Sequence, residues 1–229
     1  MIKILGNWDE IGAAVNFLGR QKLPRHGSAE KCWDLYHLHQ VARDLPRSAP
    51  VIDLGCSGLH VLKFLHALGF SDLLGVDLNV TGLDRALRLR LMAREKTWRP
   101  PFRLRRGDLT RTHLPDASFN LATCVSVIEH GVDVNAFLAE AARLLRPGGR
   151  LFITADYWEE PLAPVAAGEF GLPWRILTRL DIEALLQTAR ELGLNPIGNS
   201  NIPNCAEKCV YWNGRDYTFI TLGLRKGAS

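Results

Sequence analysis

The 229-residue sequence predicts an α/β fold: a mostly parallel sheet, doubly wound by helices, with an antiparallel C-terminal strand and a helical cap at the N-terminal side. Three observations predict it. Short apolar runs alternate with segments of helical period from about residue 50 onward. Residues 51–60, VIDLGCSGLH, carry a strand through an acid and two glycines directly into an apolar helix. Near the C-terminal side, Asn213-Gly214 separates two β-rich runs.

Residues 1–48 show helical patterns near 9–20 and 29–44, which read as a cap or lid ahead of the first strand, and residues 49–229 read as one layered domain. The strand at 51–54 leads to a helix marked by Val61, Leu62, Leu65 and Leu68, then to a strand at 73–77 and an arginine-rich helix. Strands at 102–106 and 119–125, a helix at 134–146 and a strand at 150–155 continue the rhythm. Such alternation implies parallel strands joined by crossovers, with both sheet faces covered. Pro147, Gly148 and Gly149 stop the helix before the 150–155 strand. A helix at 178–193 opens at Thr178 or Asp181 and closes at Gly193. Runs at 209–212 and 217–224, joined by the tight Asn213-Gly214 turn, add the antiparallel element.

With 47% hydrophobic and 23% charged residues, the chain can bury a substantial core. No run of eighteen uncharged apolar residues marks a membrane span, and MIKILGNWDE lacks the basic and apolar regions of an export signal. The five cysteines, odd in number and scattered, suit a reducing cytoplasm. Cys205 and Cys209 form a CxxxC without further ligands of metal-site spacing, so no metal is expected. The formal charge of +4 is concentrated in a basic segment from Arg85 to Arg106. Leu83, Leu87 and Leu91 read as the buried stripe of that helix and its arginines as solvated. Only Trp98 and Phe102 interrupt the run, which disfavours a nucleic-acid groove.

A strand ending in acid and glycine and feeding a helix places backbone N–H groups where negative groups are favoured. A dinucleotide fingerprint requires G-x-G-x-x-G, however, and counting from Gly55 puts Ser57 and His60 at the second and third glycine positions. DLGCSG instead resembles the first motif of the class I S-adenosylmethionine-dependent methyltransferases, D-x-G-x-G-x-G, with Ser57 and Leu59 in place of its later glycines. Further pieces are similar to that family in the family's order. LLGVDLN ends a strand in Asp77, twenty-two positions beyond Gly55 (77 minus 55), and RRGDL places Asp108 after the next strand. FNLATCVSVIEH followed by LLRPGGRLFIT resembles the ubiquinone-biosynthesis-like, type 11 branch, apart from Asn120, where that branch carries Asp. The resemblance covers about residues 48–155.

The resemblance implies a seven-stranded, Rossmann-like methyltransferase fold and S-adenosylmethionine as cofactor. It assigns Asp53, Gly55, Cys56, Ser57 and Gly58 to the cofactor-binding bend. Asp77 with Leu78 would take the ribose hydroxyls, Asp108 with Leu109 the adenine amino group, and Val125 would line the same cleft. Each acid also has a plainer reading: Asp77 as a helix cap, Asp108 as an Asx-turn residue, Glu129 and His130 as surface polar groups at a helix start.

Methyl transfer needs alignment of a nucleophile with an activated methyl group, and a general base where the acceptor is a hydroxyl or protonated amine. His130 is the candidate base, since its ordinary pKa is near neutrality. Asp156 and Tyr157, followed by Glu159 and Glu160, sit past the 150–155 strand as further catalytic candidates. Trp33, Tyr36, His37, Phe170 and Trp174 could wall the acceptor pocket, and the connection 159–175 is long enough to reach it. The expected function is methyl transfer to oxygen or nitrogen of a small molecule; nothing in the chain matches the Asn/Asp-Pro-Pro-Tyr/Phe motif of nucleic-acid amino methyltransferases. The rivals are RNA or protein methylation, an NAD-dependent reductase, and a non-catalytic cofactor-binding regulator. A homodimer is a further expectation, with the N-terminal helices left open between closing over the site and mediating that contact.

Overall fold

A computed structural model describes residues 1–162, 173–205 and 207–228. Strand β1 (Ile2–Ile4) precedes helices α1 (Trp8–Arg20) and α2 (Lys31–Ala42). Then come β2 (Val51–Leu54), a single 3-10 turn (Ser57–Leu59), α3 (His60–Ala67), β3 (Leu73–Asp77), α4 (Gly82–Arg94) and β4 (Arg103–Arg106). They are followed by β5 (Phe119–Val125), α5 (Val134–Leu144), β6 (Leu145–Tyr157) and α6 (Arg179–Glu191). Strands β7 (Leu194–Pro196), β8 (Val210–Trp212) and β9 (Arg215–Lys226) complete the order.

The main path of the sheet runs β1-β9-β6-β5-β2-β3-β4, seven strands, with the short β7 and β8 also paired to β9. Strands β4, β3, β2, β5 and β6 are mutually parallel, and β9 is antiparallel to β6. From β2 the chain builds outward to β3 and β4, then returns to place β5 on the other side of β2. That reversal opens a crevice at the carboxyl ends of β2 and β5, where open α/β sheets hold their ligands.

Two apolar clusters correspond to the two sheet faces. One joins α5 and α6 to the sheet through Phe137, Leu138, Ile182 and Leu186. The other joins α1, α2 and α3 through Leu18, Trp33, Leu38, Phe64 and Leu65. The N-terminal helices are therefore part of a packing layer, with α2 buried on nearly every side. Helix α6 opens on a reciprocal capping box between Thr178 and Asp181, and Gly193 follows it at φ +77°. Asn213 and Gly214 both take positive φ, as a primed hairpin turn demands.

Two expectations are corrected, and two strands were missed. Helix α5 stops at Leu144, because β6 begins at Leu145 and crosses Pro147, Gly148 and Gly149 with a register shift against β5. Leu83 does not belong to a buried stripe: it is 66% exposed, Leu89 is 58% exposed, and Leu87 and Leu91 are half-buried. Helix α4 packs on the 3-10 turn, and Glu95 at its end bonds His66 of α3, while the outermost strand, β4, is itself largely exposed. Strands β1 and β7 had no sequence signal, each being only three residues long.

Candidate active site

The bend after β2 closes on itself. Gly55 adopts φ +91°, and a Cβ there would stand 2.4 Å from Cγ2 of Val127, so only glycine lets β2 and the segment after β5 meet. The Val76 carbonyl accepts the N–H groups of Gly55 (2.8 Å) and Cys56 (3.4 Å), and the Cys56 carbonyl accepts that of Leu59 (3.0 Å). Asp77 Oδ2 accepts the N–H of Ser57 at 3.0 Å. The amides of Gly55, Cys56, Ser57 and Leu59 are thus already used within the protein, and these four donors are not offered to a phosphate.

The residues assigned to a cofactor gather at this edge in different ways. Asp53 is buried within β2, accepts the Thr123 hydroxyl at 2.7 Å and supports the bend from inside the sheet; burial pushes its carboxyl up to about 7. Cys56 is buried, with its side chain turned toward Gly75 on β3. Gly58 and Leu59 both take left-handed φ, +70° and +60°, which turns the chain into α3. Asp77 is half-buried at the end of β3, and its Oδ1 also accepts the Asn79 N–H at 2.9 Å. Leu78 beside it is exposed, an apolar surface next to the carboxylate. The Asp77–Arg106 register places Asp108 just beyond β4 on the same edge. Its Oδ1 accepts the Thr110 amide (2.8 Å) and hydroxyl (2.7 Å), so the Asx-turn reading holds for that oxygen. Leu109 is buried beneath it and Val125 is half-buried at the end of β5.

A second group of side chains lies beyond β5 and β6. Lys31, from α2, donates from Nζ to the Ser126 hydroxyl and stands 3.7 Å from Asp34 Oδ2 and 3.9 Å from Asp156 Oδ1. Its ammonium also sits 3.6 Å from the Phe219 ring centre. Trp174 donates its indole N–H to Asp156 Oδ2 at 2.8 Å. Glu129 is fully buried, and neither carboxylate oxygen has a hydrogen-bond partner among the described residues. Burial, then the neighbouring Asp156 charge, hold the Glu129 carboxyl well above the usual range; burial pushes Asp34 up to about 6. The surface reading of Glu129 is therefore overturned.

The catalytic candidates separate. Asp156 belongs to this cluster, and His130, half-buried, directly follows Glu129. Tyr157 does not join them: side chains alternate along β6, so it points to the opposite face, buried with Leu177 and Ile182. Glu159 is bound to Arg179 at 2.7 Å, which holds its carboxyl below the usual range despite partial burial, and Glu160 is exposed. Of the proposed pocket aromatics, Trp33 donates to Glu10 Oε2 (3.0 Å) and packs edge-on to His37, while Tyr36 packs on Phe17, so these hold α2 to α1 and the core. Only Trp174 reaches the cluster; Phe170 lies outside the described residues. Lys31, Asp34, Ser126 and Phe219 carry no motif, although a Lys-x-x-Asp pair inside the apolar run KCWDLYHL is a local signal of buried charge. A cavity of about 340 Å³ bordered by Pro50, Asp72 and Arg103 lies at the amino ends of the strands, away from this site.

Residues 52–153 match the family model described as a methyltransferase domain. That stretch is similar to methyltransferase domains. The chain is 35% identical over 99 residues to a demethylmenaquinone methyltransferase of Deinococcus radiodurans, covering 42% of this chain and 39% of that one. It is 32% identical over 111 residues to a ubiquinone biosynthesis O-methyltransferase of Xanthomonas oryzae, covering 46% and 42%. The match therefore spans less than half the length of these curated relatives. Among solved structures, a Burkholderia thailandensis 1,6-didemethyltoxoflavin-N1-methyltransferase with bound 1,6-didemethyltoxoflavin and S-adenosylhomocysteine aligns with a TM-score of 0.63 at 20% identity. That alignment covers 97% of this chain and 92% of the other, a likeness of fold. No helix among the described residues is long and apolar enough to cross a membrane.

Proposed function

We propose that the protein transfers a methyl group from S-adenosylmethionine to an oxygen or nitrogen of a small molecule. One observation carries this reading: Asp77 ends β3 and accepts the Ser57 N–H of the bend after β2, at the crevice where the sheet reverses direction. Both Asp77 oxygens keep acceptor capacity for a ribose diol after bonding Ser57 and Asn79, since each carboxylate oxygen carries two lone pairs. Leu78 offers apolar surface beside them, and Asp108 Oδ2 is available to an amino group at a purine edge. When bound, S-adenosylmethionine supplies an activated methyl group on a sulfonium, so the protein's part is alignment and exclusion of water.

The carboxylates beyond β5 and β6 mark the acceptor side. Helix α2, which carries Lys31 and Asp34 there, is proposed as the wall that closes this side, and His130 remains the alternative proton acceptor. A cytoplasmic setting goes with the odd, scattered thiols. The curated relatives named above support a small-molecule acceptor through their printed names, as does the toxoflavin enzyme.

Calorimetric titration with S-adenosylhomocysteine and with NADH tests the cofactor reading. Saturable binding of the first alone is expected; binding of NADH alone sinks it. A second reading, cofactor binding without methyl transfer, is favoured by Ser57 and Leu59 replacing motif glycines. It predicts binding of S-adenosylhomocysteine with no labelled methyl reaching any acceptor.

A further inference from the structure

The side chains at the acceptor side do not balance in charge. Asp34, Asp156 and Glu129 are three buried carboxyl groups, and Lys31 is the cation among them. Charge withdrawn from water must be paired or neutralised by protons. Lys31 Nζ shows what the site accepts: an ammonium 3.6 Å from the centre of an aromatic ring, donating to a hydroxyl and flanked by two carboxylates. Glu129 faces the same groups, and neither of its oxygens is bonded by another of the described residues.

This cluster adjoins the bend. Val127, whose side chain touches Gly55, lies two residues before Glu129, and Ser126, which receives Lys31, precedes Val127. Trp174 and Tyr217 stack edge-on at 5.8 Å, and Tyr217 lies beside Asp156, so aromatic surface borders the carboxylates. The groups facing Glu129 are Lys31 and Asp34 from α2, Cys124 from β5, Asp156 from β6 and Tyr217 from β9. Lys31 alone among them brings positive charge. An alcohol or phenol approaching these carboxylates would neutralise nothing, and its oxyanion would be repelled. A protonated amine would supply the missing cation and the missing donors together, and could stack on the rings as Lys31 does.

Resting on the methyl-transfer reading, we propose that the methyl acceptor is an amine, bound as its cation by Glu129, Asp34 and Asp156, and that Glu129 takes the proton that frees its lone pair. The proton moves from R-NH3⁺ to the Glu129 carboxylate, leaving the neutral amine held by Asp34 and Asp156. The N–CH3 bond then forms as the S–CH3 bond breaks, the positive charge of the sulfonium passes to nitrogen, and the Glu129 proton leaves to water with product release. The raised affinity of Glu129 for protons suits that role, because a carboxylate of ordinary acidity takes a proton from an ammonium poorly.

The test uses the full chain saturated with S-adenosylhomocysteine, titrated calorimetrically with benzylammonium and with benzyl alcohol. Benzylammonium is expected to bind at least tenfold more tightly. Its affinity should fall from pH 8 to pH 5, as Asp34, pushed up to about 6 by burial, gains its proton while the ligand stays charged. Glu129→Gln should weaken benzylammonium at least tenfold, while Glu129→Asp restores part of the loss. Retained S-adenosylhomocysteine binding reports that a variant is folded; should Glu129→Gln fail to fold, the ligand preference and pH slope of the parent decide alone. With S-adenosylmethionine and tyramine, which carries an amine and a phenol, mass spectrometry should find the methyl on nitrogen. Equal binding of alcohol and ammonium, no ammonium binding by protein that holds S-adenosylhomocysteine, or methyl on the tyramine oxygen overturns the proposal. Failure of the parent to bind S-adenosylhomocysteine would instead strike the methyl-transfer reading.

Discussion

Asp77 and Ser57, twenty residues apart in sequence, are joined by a 3.0 Å hydrogen bond from the Ser57 N–H to the Asp77 carboxylate. One side chain thus fixes the bend after β2 and presents its remaining lone pairs to the cleft. Asp77→Ala is expected to lower S-adenosylhomocysteine affinity at least tenfold and to cost about 1–2 kcal/mol of stability through the lost bonds. Calorimetry and urea unfolding read the two effects; unchanged affinity removes Asp77 from the binding site.

Gly55→Ala should be costly for two separable reasons. The backbone at φ +91° disfavours a side chain, and the new Cβ would fall 2.4 Å from Val127 Cγ2. A loss of about 2–3 kcal/mol is expected from left-handed strain and overpacking together. Pairing it with Val127→Ala should recover the packing share only, so the double variant is less destabilised than additivity allows. Strict additivity in denaturant unfolding would contradict the contact.

The buried acid Asp53 links stability to pH. Its folded pKa, pushed up to about 7 by burial, exceeds the unfolded value near 4, so the folded state binds the extra proton between them. The stability this group contributes is complete below about pH 4 and is lost as pH rises through 7. Asp53→Asn should therefore gain on the parent between pH 5 and pH 8, and its unfolding free energy should change less over that range. A parent and variant with parallel pH curves would refute the assignment.

Glu140 makes the opposite case. It accepts the Thr112 amide at 2.8 Å and hydroxyl at 2.6 Å and binds Arg143 at 2.7 Å. Although burial opposes it, the Arg143 and Thr112 bonds win and hold its carboxyl down to about 2. Its contribution is present above the unfolded value and fades as pH falls toward 2. Glu140→Ala is expected to cost about 2 kcal/mol at pH 7, below the range for a fully buried pair because Arg143 is partly exposed. Thermal melts at pH 7 and pH 3 should show the difference shrinking in acid.

Exposure separates the leucines of α4 from those of α3. Leu83→Ala and Leu89→Ala should stay within about 0.5 kcal/mol of the parent, whereas Leu62→Ala, fully buried in α3, should lose about 2–5 kcal/mol. Similar losses at all three positions in chemical denaturation would restore the buried stripe.

The contrast between these sites marks what a sequence can show. The side proposed for the cofactor was legible because its residues sit at the ends of successive strands, where an apolar run stops at an acid: Asp53 with Gly55, Asp77, Asp108. The side proposed for the acceptor was not, because Lys31 and Ser126 meet across ninety-five residues and no local spacing encodes that meeting. Tyr157 was misplaced for a related reason. Strand β6 is buried on both faces, so its apolar pattern carries no parity to tell which face Tyr157 shares. Leu83, Leu87 and Leu91 kept helical spacing, but spacing cannot say whether anything lies beneath the helix.

Strand β9 pairs along its length with β6, and also with β1, β7 and β8, so segments remote in the chain converge on it. Phe219, against which Lys31 rests, belongs to that strand, whereas the bend and its carboxylates come from residues 51–108 and lean on Thr123 and Val127. During synthesis on a ribosome, the half proposed to face the nucleoside is complete in the chain by Val127, whereas the half proposed to face the acceptor must await β9, so the first is expected to assemble before the second.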